Sequence, residues 1–301
     1  MKKIAYLIMA HHDFEQLARL VMALDDERFD LYIHLDRKSQ IDTSQIKGLK
    51  LAQGKLELMP FRKKIYWGDY SIVEATFAMY RYAMKKGEYT RLVTLSGNDY
   101  PIKSNDYIYN KLTTTDTEFI SGQKLWPESE HYRVRHYHFF KPYFLNWIDL
   151  VKNYLRKNQI KKPMKIDSKF GIYDVFHASQ WHALTPECVR YILDVAAKEP
   201  KFRKYFYYSW APDELMIATI LFHSPYAEKT IEYNREKPKT FDDLSVLTYL
   251  EYNPQDGSTV NLLDIKDYEK IVRSDRLFFR KAVSGKSEGL IEMIDKYRKD
   301  N

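Results

Sequence analysis

Short apolar runs and amphipathic segments alternate along the first third of the chain. Runs typical of strands buried in a sheet occupy residues 4–9, 31–35, 56–59, 92–95 and 118–121. Between them, residues 14–24 and 72–83 carry apolar side chains at helical spacing. This alternation predicts an α/β fold built on an open parallel or mixed sheet flanked by helices.

The second half of the chain gives a less regular pattern. Residues 124–169 are aromatic and basic with few turn signals, so the pattern leaves open either a helical stretch or a long excursion. Residues 175–184 predict a further strand, and Thr185 and Pro212 each mark a helix start. The tail from Asp264 predicts a C-terminal helical extension.

The net charge of the 301 residues is +7, with acidic and basic positions mixed along the chain. A basic protein attracts anions, including phosphorylated small molecules. Because the chain has no basic arm and no recognisable nucleic-acid module, we expect no nucleic-acid partner.

The single cysteine, Cys188, excludes an intrachain disulfide and fits a reducing compartment. The N-terminal apolar run is too short for a signal peptide or a membrane span. We therefore expect a cytoplasmic protein. The aromatic stretch 139–147, flanked by lysines, leaves open a peripheral association with the inner face of the membrane.

Polar residues follow three of the predicted strands, at 11–13, 36–39 and 96–99. Ligands of open α/β sheets bind beyond the carboxyl ends of the strands, so these groups are candidates for chemistry. Four histidines, at positions 11, 12, 34 and 177, suggest a metal site only weakly. Adjacent histidines chelate poorly and no H-E-x-x-H motif occurs, so we predict no metal.

Two further candidates lie in the second half of the chain. Glu214 falls in the first turn of the helix predicted at Pro212. A carboxylate there either complements the helix dipole or serves as a general base. Arg280 and Lys281 follow an apolar segment that would anchor them. They are either an exposed basic pair or a clamp for a diphosphate.

Several short segments occur in the order typical of one enzyme family. They are residues 8–12, 33–39, 66–68, 95–103, 179–181, 212–214 and 277–281. Together they resemble the core-2/I-branching β-1,6-N-acetylglucosaminyltransferase family, which includes the peptide O-xylosyltransferases. The most specific block, at 95–103, reads LSGNDYPIK, and the resemblance spans residues 4–283.

The resemblance implies a GT-A-like sheet, a UDP-sugar donor, inversion at the anomeric carbon and catalysis without a metal or other cofactor. The donor sugar is expected to be N-acetylglucosamine or xylose, and the acceptor a hydroxyl of a glycan or glycolipid. No Asp-x-Asp occurs in the chain. Cationic side chains must then offset the charge of the leaving diphosphate.

The resemblance also implies one domain over residues 1–301, with a nucleotide-sugar-binding half at 1–122 and an acceptor and catalytic half at 123–301. Glu214 matches the catalytic base. The residues implied to bind the donor are Ala10, Asp36, Tyr66, Arg280 and Lys281, and those implied to bind the acceptor are Arg133, Tyr249 and Asp99.

The chain departs from the animal members, which carry a membrane anchor and several cysteines, and so resembles a compact bacterial-type homologue. No basic residue near 258–259 matches a second diphosphate contact of those enzymes. The main alternative is a non-catalytic glycan-binding protein on the same fold. A metal-dependent transferase is a further alternative, and the sequence leaves the oligomeric state open.

Overall fold

The structure, a computed structural model, describes residues 2–125, 132–139, 145–231, 241–253, 255 and 259–300. In chain order its strands are β1 (Ile4–Ala10), β2 (Phe29–Leu35), β3 (Lys55–Leu58), β4 (Arg91–Ser96), β5 (Tyr100–Pro101), β6 (Gly122–Lys124), β7 (Lys165–Ser168), β8 (Gly171–Asp174), β9 (Phe176–Ala178), β10 (Ala183–Leu184), β11 (Thr248–Tyr249) and β12 (Phe278–Phe279).

The helices of the described residues are α1 (Phe14–Ala23), α2 (Thr43–Gly48), α3 (Ser71–Lys86), α4 (Asn105–Thr113), α5 (Tyr132–Arg135), α6 (Leu145–Lys157), α7 (Pro186–Lys198), α8 (Pro200–Phe206), α9 (Met216–Leu221), α10 (Phe241–Leu244), α11 (Tyr268–Arg273) and α12 (Glu288–Asp300). Short 3-10 helices occupy Pro212–Glu214, Ala227–Lys229 and Ile265–Asp267.

A five-stranded sheet in the order β10-β4-β1-β2-β3 forms the centre of the fold. β1 pairs in parallel with β2 and with β4, and β2 pairs in parallel with β3, whereas β10 runs antiparallel to β4. Every residue of β1 is buried, which explains why its sequence is a continuous apolar run. The open mixed sheet predicted from the sequence is confirmed.

Helices cover both faces of this sheet. Successive residues of a strand point to opposite faces, and β1 shows the consequence. Leu7 belongs to a buried cluster with residues of α3 and α7, whereas Tyr6 belongs to a second cluster with residues of α1 and α4. The parallel strands therefore end together at one edge, where the polar residues 11–13, 36–39 and 96–99 follow them.

The C-terminal extension adds a three-stranded sheet in the order β11-β12-β5. Buried side chains from this sheet, from α11 and from α12 form a third cluster that includes Phe279, Ile271 and Leu290. The predicted helical tail is confirmed, and β12 interrupts it.

Both helix starts predicted in the second half are confirmed. The hydroxyl of Thr185 accepts a hydrogen bond from the backbone N–H of Cys188 and caps α7, with Pro186 in the first turn. Pro212 begins a single 3-10 turn that leads into α9. Glu214 therefore lies at a helix start, as the sequence predicted.

The strand predicted at residues 118–121 is wrong. Glu118 and Phe119 form only isolated bridges to other segments. The N–H of Ile120 donates to the carbonyl oxygen of Glu118 at 2.8 Å, and this tight turn prevents a continuous ladder. The strand of this region begins at Gly122 and pairs antiparallel with β9. A Cβ at Gly122 would lie 1.9 Å from the Phe222 ring, so only glycine allows this packing.

The single strand predicted at residues 175–184 is divided into β9 and β10. The hydroxyl of Ser179 accepts a hydrogen bond from the N–H of Trp181 at 3.1 Å and forms a turn between the two strands. As a result β9 pairs with β6, while β10 joins the central sheet.

A fully buried ion pair joins β4 to the segment before β6. Nη1 of Arg91 lies 3.6 Å from Oε2 of Glu118, and neither side chain is exposed. Glu118 also accepts a hydrogen bond from the N–H of Thr185 at 2.8 Å. Burial raises the pKa of Glu118 and lowers that of Arg91, which means that each charge depends on the other.

The substitution Arg91→Leu would leave the Glu118 carboxylate buried without its cation. We expect the free energy of unfolding to fall by about 3–5 kcal/mol, measured by urea denaturation followed by circular dichroism. The matched control is Arg190→Leu, which removes an exposed pair with Glu187 and should change stability little. Similar losses for the two variants would contradict this account of the buried pair.

Candidate active site

Asp36 is fixed at the carboxyl end of β2, beside the end of β1. Its N–H donates to the carbonyl oxygen of Ala10 at 2.9 Å. Its carboxylate accepts hydrogen bonds from the backbone N–H groups of Lys38 at 2.7 Å and Ile65 at 3.3 Å. Backbone donors thus hold this buried carboxylate at the sheet edge, where ligands of open α/β sheets bind.

Tyr66 lies at the same place. Nζ of Lys38 is 4.3 Å from the centre of the Tyr66 ring and 3.9 Å from Oδ2 of Asp36. The N–H of Tyr66 donates to the hydroxyl of Ser71 at the start of α3, which fixes the loop. The structure therefore brings together Ala10, Asp36 and Tyr66, three of the residues predicted to bind a donor.

The C-terminal segment crosses the strand ends and carries two cations there. The N–H of Ala282 donates to the carbonyl oxygen of Asn98 at 2.9 Å, and Nδ2 of Asn98 donates to the carbonyl oxygen of Ala282 at 3.0 Å. The N–H and hydroxyl of Ser284 donate to Asp13 at 2.9 and 2.5 Å. Arg280 and Lys281 immediately precede these anchors.

Arg280 lies between an aromatic ring and a buried carboxylate. Its guanidinium carbon is 4.4 Å from the centre of the Trp181 ring, and its Nε is 3.5 Å from Oδ1 of Asp99. Among the described residues, Nε and Nη1 of Arg280 have no hydrogen-bond partner although both are buried. The guanidinium is therefore held in place with unused hydrogen-bonding capacity, which suits an anionic ligand.

Asp99, predicted to contact an acceptor, is fully buried in the structure. Oδ2 accepts a hydrogen bond from the N–H of Ser96 at 2.8 Å, and Oδ1 faces Arg280. Burial raises the pKa of Asp99 to about 6, against the attraction of Arg280. This placement leaves no open face for a ligand and makes Asp99 a residue that positions Arg280.

Lys281 places a second cation near the end of β1. Partial burial lowers its pKa, and the charge of Arg280 acts in the same direction. The charge of Lys281 also contributes to the lowered pKa of His11. Burial and the neighbouring His12 lower this pKa most, whereas the charge of Asp36 acts to raise it. The charges of Lys281 and Asp36 therefore act on the same imidazole, that of His11.

Glu214 is held by the backbone on both sides of its turn. Ala211 adopts a left-handed conformation with φ of 48°, and its N–H donates to the carbonyl oxygen of Gly68 at 2.9 Å. The N–H of Trp210 donates to the carbonyl oxygen of Arg133 at 2.9 Å. Gly68 itself has φ of 74°, and a Cβ there would lie 3.3 Å from the Trp210 ring.

The carboxylate of Glu214 faces two basic side chains. Oε2 lies 3.1 Å from Nε2 of His177 and accepts a hydrogen bond from Nη1 of Arg133. Burial acts to raise the pKa of Glu214, but His177 and Arg133 outweigh it and the pKa is lowered. Burial and the charge of Glu214 raise the pKa of the neighbouring Asp213. Glu214 is therefore the charged member of this acidic pair.

Two short segments connect the Glu214 turn to the strand ends. The first segment runs from Tyr66, near Asp36, to Gly68. These two residues are at most about 7 Å apart along the chain, and Gly68 bonds Ala211 in the Glu214 turn. The second segment runs from His177, which contacts Glu214, to Trp181, which stacks on Arg280. His177 and Trp181 are at most about 14 Å apart along the chain. These two links keep the Glu214 turn near the strand ends that carry the cations.

Sequence reasoning missed two of these residues. His177 was considered only as a weak metal ligand, yet it contacts Glu214. Trp181 belongs to the segment 179–181, one of those that carry the resemblance, but nothing in the sequence indicates that its ring stacks on Arg280.

Tyr249, predicted to contact an acceptor, packs partly buried against the C-terminal cluster. Its carbonyl oxygen accepts a hydrogen bond from the N–H of Arg280.

The histidines considered as metal ligands do not converge. His11 and His12 lie ring to ring at 4.1 Å, whereas Nε2 of His34 accepts the N–H of Lys63 at 3.0 Å. His177 contacts Glu214. Within the described ranges, no three His, Cys, Asp or Glu side chains are grouped so as to hold a metal ion.

Two clefts lie elsewhere on the molecule, along α1 and α12. Their volumes are about 420 and 580 Å³, and they share none of the candidate site residues. In the part of the chain that the structure describes, no helix combines the length and hydropathy needed to cross a membrane.

Comparison with known proteins identifies the family. The family model described as Core-2/I-Branching enzyme matches residues 4–253, which is most of the chain. The site's paired cations and helix-start carboxylate are of the kind that transfer chemistry uses. The protein belongs to the Core-2/I-branching enzyme family.

Curated relatives of the chain include xylosyltransferases. Xylosyltransferase 2 of Homo sapiens is 23% identical over 323 residues, covering 97% of this chain and 33% of the relative. Xylosyltransferase 2 of Rattus norvegicus is 22% identical over 321 residues, with the same coverage. The chain spans about a third of the length of these relatives. Among solved structures, S. aureus TarS overlaps 41% of this chain and 22% of its own at 12% identity, with a TM-score of 0.29, too low to establish a shared fold.

The pKa of Glu214 should depend on Arg133. Arg133→Leu removes a cation that favours the carboxylate, so burial is less opposed and the pKa of Glu214 should rise. Carbon-13 NMR titration of labelled glutamate carboxyl groups measures this directly. Arg135→Leu, in the same helix, is the matched control and should leave the Glu214 resonance titrating as in the wild type. An unchanged pKa in Arg133→Leu would show that the contact does not persist in solution.

Proposed function

We propose that this protein is an inverting, metal-independent glycosyltransferase that moves a sugar from a UDP-sugar to a hydroxyl of a glycan or glycolipid acceptor. The observation that carries the proposal is that one carboxylate, Glu214, is held by short chain links near the strand ends where two cations, Arg280 and Lys281, lie. Single-displacement transfer requires a base on the acceptor side and positive charge on the leaving-group side.

Glu214 takes the role of general base. It accepts the proton of the acceptor hydroxyl, while that oxygen forms a bond to the anomeric carbon. The bond between the anomeric carbon and the diphosphate oxygen breaks on the opposite face, and UDP leaves with the electron pair. Attack from the opposite face inverts the anomeric configuration.

His177 and Arg133 together lower the pKa of Glu214, which makes it a weak base while both contact it. An acceptor hydroxyl that enters beside Glu214 competes for the position of the Arg133 guanidinium. When Arg133 turns to the acceptor, the pKa of Glu214 rises toward the operating pH and proton transfer becomes more favourable. Arg133 therefore both restrains the base and binds the acceptor.

Arg280 and Lys281 take the role that a divalent metal has in other transferases. Arg280 is buried and Lys281 is partly buried, and a cation in a dry site stabilises a developing diphosphate charge more than an exposed one does. Asp99 and Trp181 fix Arg280 before the substrate arrives, so little reorganisation is needed during the reaction.

Asp36 and Tyr66 take the role of donor-binding residues, with the backbone at Ala10 beside them. The buried carboxylate of Asp36 can accept hydrogen bonds from a ribose or a uracil N–H, and Tyr66 offers an aromatic face. Tyr249 remains our candidate for an acceptor contact.

The single buried cysteine supports a reducing, cytoplasmic location.

The donor sugar is N-acetylglucosamine or xylose in our proposal. The family's description points to branching enzymes, whereas the curated relatives carry the name xylosyltransferase. The chain matches only about a third of those relatives, so the choice rests with experiment.

A panel of nucleotide sugars, titrated by calorimetry with a metal chelator present, tests the proposed function. We expect one UDP-sugar to bind selectively and to be hydrolysed slowly to UDP, because water replaces the missing acceptor. Restoration of binding or hydrolysis only by added Mn²⁺ or Mg²⁺ would contradict metal independence. Binding of glycans but of no nucleotide sugar would replace the proposal with a non-catalytic glycan-binding protein on the same fold.

Glu214→Gln separates catalysis from donor binding. Glutamine is close to isosteric with glutamate but cannot accept the proton, so the turnover number should fall by about 10²–10⁴-fold while donor affinity stays nearly unchanged. Initial rates of UDP release with a saturating donor, together with calorimetry, measure the two quantities. Glu187→Gln, an exposed glutamate on α7, is the control. A near wild-type rate for Glu214→Gln would remove this residue as the base.

A further inference from the structure

One stretch of the chain, residues 145–172, combines exposed apolar side chains with a surplus of basic residues. This stretch, the 145–172 segment, comprises α6, the turn after it, β7 and the first two residues of β8. It carries seven basic and two acidic residues, a net charge of +5 in a chain whose total is +7. Most of the protein's net positive charge therefore resides in this segment.

Exposed apolar side chains concentrate in the same segment. Ten large hydrophobic residues are exposed in the described part of the chain, and five of them are Leu150, Tyr154, Ile160, Phe170 and Ile172. Single exposed hydrophobic residues are normal, whereas a concentration of them marks an interaction surface.

Each element of the segment has an apolar outer side in addition to a buried inner side. On α6, Ile148 is buried, while Leu150 and Tyr154 are 70% and 63% exposed and share one face at i, i+4 spacing. On the hairpin, Tyr173 is buried and its neighbour Ile172 is 66% exposed. The inner sides complete the protein core, so the outer apolar side chains are available for another partner.

Part of the charge of the segment is compensated, because Lys162 is buried and Nζ of Lys165 lies 3.7 Å from Oδ1 of Asp174, whereas other lysines remain exposed. Lys152, Lys157 and Lys169 are exposed, and no acidic side chain of the described residues lies within ion-pair distance of them. Nζ of Lys169 lies 5.2 Å from the centre of the Phe170 ring, so charge and apolar surface are adjacent at the hairpin turn. Lysines in such positions extend their ammonium groups past buried apolar neighbours.

We propose that the 145–172 segment docks on the surface of an anionic lipid bilayer. The apolar side chains of α6 and the hairpin enter the boundary between headgroups and acyl chains, and the lysines contact anionic headgroups. A nucleic acid would account for the charge but not for the exposed Leu150 and Ile172. A second copy of the chain would account for the apolar surface but would bring like charges together.

The docking surface is connected to the candidate active site through the backbone. β8 leads directly into β9, where His177 contacts Glu214. Phe170 and His177 are seven residues apart, a distance of at most about 23 Å in extended chain. Docking therefore brings the catalytic cluster close to the membrane surface, a placement that fits a lipid-linked acceptor.

Flotation of the full chain with vesicles tests the proposal. Vesicles of phosphatidylcholine alone are compared with vesicles of phosphatidylcholine mixed with phosphatidylglycerol. We expect binding to the anionic vesicles only, and weaker binding as salt is added. The apolar variant is Leu150→Ser with Ile172→Ser, and the charge variant is Lys152→Glu with Lys157→Glu. Each should lower the partition coefficient by about tenfold or more.

Matched controls come from the rest of the surface. Leu262→Ser replaces another exposed leucine, and Lys47→Glu with Lys50→Glu makes the same change of charge outside the segment. Both controls should bind anionic vesicles as the wild type does. Circular dichroism melting checks that every variant is folded.

Three results would overturn the proposal. They are failure of the wild type to bind anionic vesicles, equal binding to both vesicle types, and binding unchanged in the segment variants. Self-association of the wild type that these variants abolish, without vesicle binding, would instead make the surface an interface between copies. Calorimetric donor binding by the same variants is an independent measurement, so failure of docking leaves the proposed function to its own tests.

Discussion

The paired hydrogen bonds between Asn98 and Ala282 are the constraint on which the candidate site depends. They join the loop after β4 to a segment more than 180 residues later in the chain, over the ends of the parallel strands. β12 fixes the backbone just before Arg280, and this junction fixes the backbone just after Lys281. Arg280 and Lys281 therefore lie beside the loops that follow β1 and β4, where an open α/β sheet binds its ligands.

The charges of the site are balanced in two groups. On one side, Arg280 and Lys281 face the buried Asp99, whose raised pKa reflects the burial cost that Arg280 only partly offsets. On the other side, His177 and Arg133 hold Glu214 ionised while Asp213 is disfavoured as an anion. The first group is arranged to receive negative charge, and the second keeps a carboxylate ready to accept a proton. This division of roles supports a transfer reaction with a charged leaving group.

The sequence predicted the parts of the fold that periodicity determines. β1, β4, α3 and α7 follow from apolar runs and from a cap at Thr185, because burial and capping are local in sequence. The failures at residues 118–121 and 175–184 came from turns made by single hydrogen bonds at Ile120 and Trp181. Glu214 and Asp36 could be nominated from their positions at a helix start and a strand end. The roles of His177, Trp181 and Asp99 could not, because they depend on contacts between residues distant in the chain.

The most direct test of the central claim is a crystal structure of the protein with UDP, grown with a chelator present. The account predicts the diphosphate against Arg280 and Lys281, the uridine beside Asp36 and Tyr66, and open space between the β-phosphate and Glu214 for the transferred sugar. UDP bound away from these cations, or bound only when a divalent metal is restored and bridges the phosphates, would contradict it.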